Sequence, residues 1–266
     1  MRTKFFLCVV AAATVFVVSL FSQRQSLPDE KGLLPEAERK LAADPKNIEL
    51  LLALGKVQGD LWRFDDAITT YSRGMEWAPG NALLYLNRGH RYISTRRFDL
   101  ALKDLEKAAG LDSGNSEVWY HIGLTHYMKG DFAKAAPAWE RCRELAKTND
   151  NLASSSDWLY MTYRRLKREE DAAQVLERIT PEMKITGSPY YHQRLLFYKG
   201  LKKEEELFGK DLPDVGVATL QYGAGNWYLY NGNVQKAREY FERVVAGKAW
   251  AAFGFIAAEV ELKRMK

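Results

Sequence analysis

Few residues of this chain belong to the types that build disulfides, metal sites or catalytic centres. Its 266 residues include two cysteines and four histidines. Cys8 lies inside an N-terminal apolar run, which leaves Cys142 without a partner for an intramolecular disulfide or a paired-cysteine metal site. His121 and His126 are five residues apart, so on a helix they diverge by roughly 140° and cannot hold one metal ion together. Phosphate-loop and nucleophile motifs are absent too, and the sequence predicts no metal, no cofactor and no enzymatic activity.

Neither sign of charge is in large excess. The chain carries 39 Lys and Arg against 34 Asp and Glu. Without residues 1–22, which contain Arg2 and Lys4, the balance is 37 against 34. So small a surplus argues against a nucleic-acid partner. Hydrophobic residues make up 47% of the chain and charged residues 27%, which excludes a disordered chain and a multi-span membrane protein.

The N-terminus combines a basic head with an uncharged apolar run. Arg2 and Lys4 precede residues 5–21, and a polar stretch follows at residues 22–26. This order is typical of a secretory signal, and the run also reaches the short limit of a membrane span. We therefore expect residues 1–22 to be either a cleaved signal peptide or an anchor that contacts the membrane through residues 5–21. Either alternative predicts an exported protein that is periplasmic, extracellular or membrane-anchored, with a polar linker at residues 23–32.

A regular period, about 34 residues long, organises the rest of the sequence. Gly55, Gly89 and Gly123 follow it, and each glycine stands 12 residues before an alanine. The alanines are Ala67, Ala101 and Ala135, and the pair Gly225 and Ala237 repeats the same offset. A period of this length indicates a stack of supersecondary repeats, in which small residues lie where two helices approach closely.

This pattern resembles the tetratricopeptide repeat, a 34-residue helix–turn–helix unit. The first unit shows it well, with Leu54-Gly55, Ala67, Tyr71 and Pro79 at the characteristic places. The units are residues 48–81, 82–115, 116–149, 153–181 and 218–247, with a degenerate copy within 186–209 and a half-repeat cap at 33–43. The resemblance implies an all-α fold, a right-handed α-solenoid of stacked helical hairpins over residues 33–247, followed by a capping helix at 248–266.

The resemblance also implies a binding groove. In this family the first helix of each unit lines the concave face, and matching positions here carry mainly Tyr, Leu and Met. The candidate groove residues are Leu52, Lys56, Leu86, His90, Tyr120, Leu124, Tyr127, Met161, Arg164, Tyr222 and Asn226. Such a lining favours a protein or peptide partner with apolar anchors. The alternative is that some of these side chains pack against neighbouring helices.

The C-terminal segment has two apolar stripes at helical spacing. One contains Phe253, Ile256 and Val260, and the other contains Phe255 and Leu262. Because the chain has no further helix to cover both, we expect one stripe to stay exposed and to serve self-association as a homodimer through Phe253, Ile256 and Val260. The alternative is a cap folded back over the last unit.

Three functions remain open at this point. The leading one is an exported or membrane-tethered adaptor that binds protein or peptide partners. The second is an assembly or biogenesis factor that holds clients of an envelope complex transiently. The third is an enzyme with a site near His192, which would require a deep pocket around His192 and Arg194.

Overall fold

A computed structural model describes residues 24–266, and the predicted signal or anchor at residues 1–22 lies outside them. The described part is helical and contains no strand. The first hairpins comprise α1 (Leu33–Ala43), α2 (Ile48–Asp60), α3 (Phe64–Trp77), α4 (Ala82–Ser94), α5 (Phe98–Leu111), α6 (Ser116–Lys129) and α7 (Phe132–Glu144). The remaining helices are α8 (Asn149–Arg165), α9 (Glu169–Glu177), α10 (Tyr190–Tyr198), α11 (Asp214–Tyr230), α12 (Val234–Ala246) and α13 (Phe253–Arg264). The fold is the all-α, right-handed solenoid of helical hairpins that the sequence predicts.

The first helix of each early hairpin begins at an asparagine cap. The side chains of Asn47, Asn81 and Asn115 each accept a hydrogen bond from a backbone N–H in the first turn of α2, α4 and α6. Thr148 does the same for α8. These caps follow the period of the repeat closely, because each satisfies the free donors that open the same helix of the unit.

The periodic glycines permit close contact within each hairpin. A Cβ atom on Gly55 would lie 2.4 Å from the ring of Tyr71, and one on Gly123 would lie 2.7 Å from the ring of Trp139. Gly89 makes the same approach to Leu105. In all three hairpins the large side chain follows its glycine by the same number of residues. A small residue is therefore required at these positions, because a large side chain of the second helix fills the space that a Cβ would need.

The turn inside each hairpin requires one residue with left-handed backbone. Gly130, Gly200 and Gly232 supply it in three turns, with φ between 77° and 87°. Trp62, Arg96 and Lys167 occupy the same place in the first, second and fourth hairpins, with φ of 60°, 63° and 57°. Side chains with a Cβ atom disfavour this conformation. For Trp62 and Arg96, contacts with the C-terminal segment, described below, give these side chains a structural role.

The degenerate repeat lacks its second helix. After α10 the chain forms only a short 3₁₀ turn at Glu204–Glu206. Glu204 accepts hydrogen bonds from Tyr228 and Tyr240, and Leu207 is buried. This turn closes the gap that a full helix fills elsewhere, and it brings α11 into direct contact with α8 and α10.

The first helices of successive hairpins lie on the inner side of the curve, where α2 contacts α4, α4 contacts α6 and α6 contacts α8. We call this surface the inner face. The main hydrophobic core extends from Leu86 to Ala258 and includes side chains of α11 and α13. The superhelix therefore winds tightly enough for its last helices to reach α6 across the inner face. Within residues 24–266, no helix is both long and apolar enough to cross a membrane.

Candidate functional site

The middle of the inner face is filled by the chain's own α11. The hydroxyl of Tyr127 on α6 accepts hydrogen bonds from Tyr222 Oη at 3.0 Å and from Asn226 Nδ2 at 2.7 Å. All three side chains are fully buried. Burial raises the pKa of Tyr127 and Tyr222, so both remain neutral phenols. This contact closes the groove between α6 and α11.

A second, partly buried network lies beside it. The indole N–H of Trp158 on α8 donates to Tyr120 Oη at 3.1 Å, and Tyr191 Oη lies 3.1 Å from the same atom. Trp158 also stacks on Trp139, with ring centroids 5.9 Å apart and planes within 7°. The aromatic residues expected to line an open groove therefore pack against one another as core.

The C-terminal helix α13 occupies the next part of the inner face. Its first residue, Phe253, packs on three rings: His90 at 5.3 Å, His121 at 5.9 Å and Tyr120 at 6.2 Å. The two histidine rings are themselves 4.5 Å apart. Burial and the nearby Arg91 lower the pKa of His90 well below its usual range, and burial lowers the pKa of His121 to about 4. Phe253 thus sits in a pocket of neutral aromatic rings.

The expectation of an exposed C-terminal stripe is wrong. Ile256 is fully buried, and Phe253 and Val260 are half-buried and packed against the main core. Phe255 on the other stripe is 6% exposed. Both stripes are covered because α13 has the last hairpin on one side and the inner face on the other. Self-association through Phe253, Ile256 and Val260 stays a prediction that would require this contact to open.

Two glutamates of α13 meet arginines of the solenoid. Glu259 lies 2.7 Å from Arg96 and 3.1 Å from Arg24. Glu261, with a side chain only 1% exposed, lies 2.8 Å from Arg165 and 2.6 Å from Arg264. These pairs join the C-terminal helix to the N-terminal segment and to the turns of the second and fourth hairpins.

Trp250 fixes the loop that precedes α13. Its ring meets Trp62 and Phe64 edge to face, each with centroids 5.3 Å apart. Its carbonyl accepts a hydrogen bond from Arg96 at 2.8 Å. The left-handed residues Trp62 and Arg96 therefore both hold the C-terminal segment.

The remaining candidate residues differ in exposure. Leu86, Leu124 and Met161 are buried. Leu52 is half-buried beside the small core cluster of the first hairpin, and Lys56 is exposed and pairs with Asp60. The half-buried candidates also include Arg164, which donates to Asn231 at 2.9 Å. Only the α2 part of the predicted groove is therefore open in this conformation, and the role of all these residues in partner binding stays a prediction.

The region around His192 has the character of a core. His192 Nε2 lies 2.8 Å from the carbonyl of Thr180, and Arg194 is fully buried. Three surface clefts of about 590, 290 and 210 Å³ are lined by other residues. Across residues 24–266 no group of three His, Cys, Asp or Glu side chains is arranged to hold a metal ion. The deep pocket that an enzyme here would require is not among these clefts.

Sequence reasoning missed the residues that close the inner face. Arg96, Trp250, Glu259 and Glu261 were not among the candidates. One signal was available for Arg96: aligning the hairpins places it in register with Gly130, one period later. A large charged residue where the next hairpin has glycine is an unusual choice for a left-handed position.

Comparison with known proteins supports the repeat assignment. Residues 86–142 match one tetratricopeptide repeat family model, and residues 219–246 match a second. The chain contains tetratricopeptide repeats. A solved structure of YrrB, described as a TPR protein with an unusual peptide-binding site, aligns with a TM-score of 0.50. That alignment covers 85% of this chain and 97% of YrrB at 15% identity, and it supports the fold.

Two curated relatives match parts of the repeat region. The Hsp70-Hsp90 organizing protein of Triticum aestivum is 33% identical over 100 residues, which is 38% of this chain and 17% of the relative. The small glutamine-rich tetratricopeptide repeat-containing protein 2 of Saccharomyces cerevisiae is 25% identical over 147 residues, or 55% of this chain and 40% of the relative. The chain thus spans less than half the length of either.

Proposed function

We propose that this chain is a non-enzymatic TPR adaptor that binds a protein or peptide partner on its inner face and works outside the cytoplasm. The observation that carries the binding role is α13 itself. The inner face of α4 and α6 holds a helix of this chain through the aromatic anchor Phe253. A surface that binds one helix by an aromatic anchor has the chemistry to bind another.

The relatives support the class of function. An organizing protein for two chaperones is, by its name, a protein that brings other proteins together. In chaperone-binding members of the repeat family, Lys and Asn clamp a peptide carboxylate at two groove positions, and Leu52 and Lys56 stand there in this chain. The proposal is therefore a partner of different chemistry from a chaperone C-terminus.

A photo-crosslinking experiment tests the binding role. We expect a photoreactive amino acid at Lys56, exposed on the open part of the inner face, to capture a defined partner in native cells. The same probe at Lys107, exposed on the outer helix α5, is the matched control and should capture little. Equal capture from both positions, or none from Lys56, would contradict an adaptor that uses its inner face.

The export proposal rests on residues 1–22, whose basic head should stay on the cytoplasmic side. The C-terminal Lys266 is exposed, so a reporter can be fused there without entering the core. We expect such a fusion to be active when the reporter works only outside the cytoplasm. A variant with Val15 and Val17 changed to Asp, which interrupts the apolar run, is the control and should keep the reporter inside. A fusion active only in the cytoplasm would refute export.

A further inference from the structure

The contact between α13 and the inner face shows what this surface recognises. Phe253 enters the aromatic pocket of His90, Tyr120 and His121. Further along the helix Glu259 meets Arg96 and Arg24, and Glu261 follows with Arg165. The solenoid therefore offers rings at one end of the site and guanidinium groups along it. An aromatic side chain followed by carboxylates satisfies both.

We propose that the α4–α6 surface now covered by Phe253 and Glu259 is the partner site of this protein, that α13 occupies it as a built-in competitor, and that the partner is an acidic amphipathic helix with an aromatic residue ahead of its carboxylates. This inference rests on the proposed adaptor function and names the chemistry of its partner. Charge complementarity selects that chemistry, because a basic helix in place of Glu259 would face Arg96 and Arg24 without a counter-charge.

Release of this contact does not require α13 to leave the fold. The helix also packs on α11 and α12, and Gly254 lies directly against the backbone of Ala218 on α11. Arg238 on α12 donates to the carbonyl of Met265 at 2.9 Å. These contacts retain α13 on the last hairpin while Phe253 and Glu259 separate from the inner face.

The first hairpin is built to move with less cost than the rest. Its side chains belong to two small clusters, both separate from the main core. One joins Leu51 and Leu54 to α1, and the other joins Ala67 and Tyr71 to Leu84 of α4. Across the inner face it meets the C-terminal segment mainly through Trp62 and Phe64 on Trp250. Separation at Trp250 would therefore release the first hairpin from the C-terminal segment, the step that we expect to begin the opening of the site.

A peptide-exchange experiment with the full chain tests the proposal. The probe is a fluorescein-labelled synthetic peptide of residues 249–266, and the protein variant is Phe253→Ala/Glu259→Lys, which removes the ring and places a lysine against Arg96 and Arg24. A tethered helix has an effective concentration in the millimolar range, so wild type should exclude micromolar peptide. We expect the variant to bind the peptide at least about tenfold more tightly than wild type does.

Two controls make the outcome specific. Glu242→Lys, an equal charge change on the exposed face of α12, should leave binding at the wild-type level. A peptide with Glu259→Lys should bind the loosened variant about tenfold less tightly. Equal binding by wild type and variant, or no preference between the two peptides, would overturn the proposal.

A charge exchange provides a second route should the double variant fold poorly. Arg96→Glu leaves α13 unchanged and reverses one charge on the inner face. This variant should prefer the Glu259→Lys peptide to the native peptide, and the opposite preference would overturn the proposal. If the peptides exchange as expected but Lys56 crosslinks no partner, the adaptor function is refuted while the site for α13 stands. The two failures are therefore distinguishable.

Discussion

Replacing Arg194 with methionine is expected to cost the folded chain about 3–5 kcal/mol, because it removes the cation of a buried carboxyl and also the buried hydrogen bonds that the guanidinium donates. Arg194 Nη2 lies 3.0 Å from Asp157 Oδ2, and both side chains are fully buried. Neither oxygen of Asp157 accepts a well-formed hydrogen bond. The arginine is therefore the carboxylate's main compensation, and urea unfolding of Arg194→Met against wild type at pH 8 measures its loss.

The double variant Asp157→Leu/Arg194→Met is the matched control. Replacing a buried ion pair with apolar side chains of similar size is often neutral or stabilising, so the double variant should recover most of the loss. The side chain at position 194 lies in the space that Gly223 leaves free, since a Cβ on Gly223 would lie 2.2 Å from Arg194 Nε. A single variant within about 1 kcal/mol of wild type would show that Asp157 is compensated in another way.

The pH dependence gives an independent check on the same pair. Burial raises the pKa of Asp157 to about 7, opposed by Arg194. Without the arginine that pKa rises further, so the folded state favours the neutral acid more strongly. Because the pKa of this carboxyl is higher in the folded than in the unfolded state, its contribution to stability is fully present below the unfolded pKa of about 4. That contribution is lost as pH rises toward the folded pKa. Below about pH 7 the carboxyl is neutral in both folded proteins, so their stabilities fall in parallel. The deficit of Arg194→Met relative to wild type should therefore grow only above about pH 7, where wild-type Asp157 ionises beside its cation.

The hairpins could be predicted from the sequence because their contacts are local and repeat. Each periodic glycine meets a side chain on the next helix of its own hairpin, and each asparagine caps the helix that it precedes. Gly55 and Tyr71, or Gly123 and Trp139, are therefore visible as pairs at a fixed spacing. The same contact recurs in successive repeats, so the register of the hairpins is unambiguous.

The closed inner face could not be predicted in this way. Phe253, near the C-terminus, meets His90 in the second hairpin, and no repeated spacing records that contact. The family pattern places Tyr127 and Tyr222 on the inner face but does not say whether solvent or another helix lies opposite. That depends on how tightly the superhelix winds, and the missing helix of the degenerate repeat lets α11 approach α8 directly.

Arg194 shows the same limit for a single side chain. The sequence drew attention to residues 190–194 as a site for chemistry, whereas the structure uses Arg194 to join α8, α10 and α11. It donates to Tyr198 Oη at 3.0 Å and to the carbonyl of Thr219 at 3.3 Å. An unrepeated polar residue in a degenerate unit carries no spacing from which its partner could be inferred.

The second large effect is expected from Gly123→Val in α6, at about 3 kcal/mol of lost unfolding free energy. A Cβ on Gly123 would lie 2.7 Å from two ring atoms of Trp139, a side chain that is itself fully buried. Trp139 cannot yield, because its other neighbours include Trp158, stacked on it, and Tyr120, in edge contact at 5.1 Å. The added methyl groups must therefore separate α6 from α7.

Gly110→Ala is the matched control for this prediction. Gly110 also lies in a helix, α5, but a Cβ there would meet nothing within 4 Å. Alanine should stabilise the chain by about 0.5–1 kcal/mol, since it favours the helix without any clash. Gly123→Val/Trp139→Leu should regain part of the stability lost in Gly123→Val, because the smaller side chain makes room for the valine. If Gly123→Val unfolds at the same urea concentration as wild type, α6 and α7 do not pack through this glycine, and the register assigned to every hairpin is wrong.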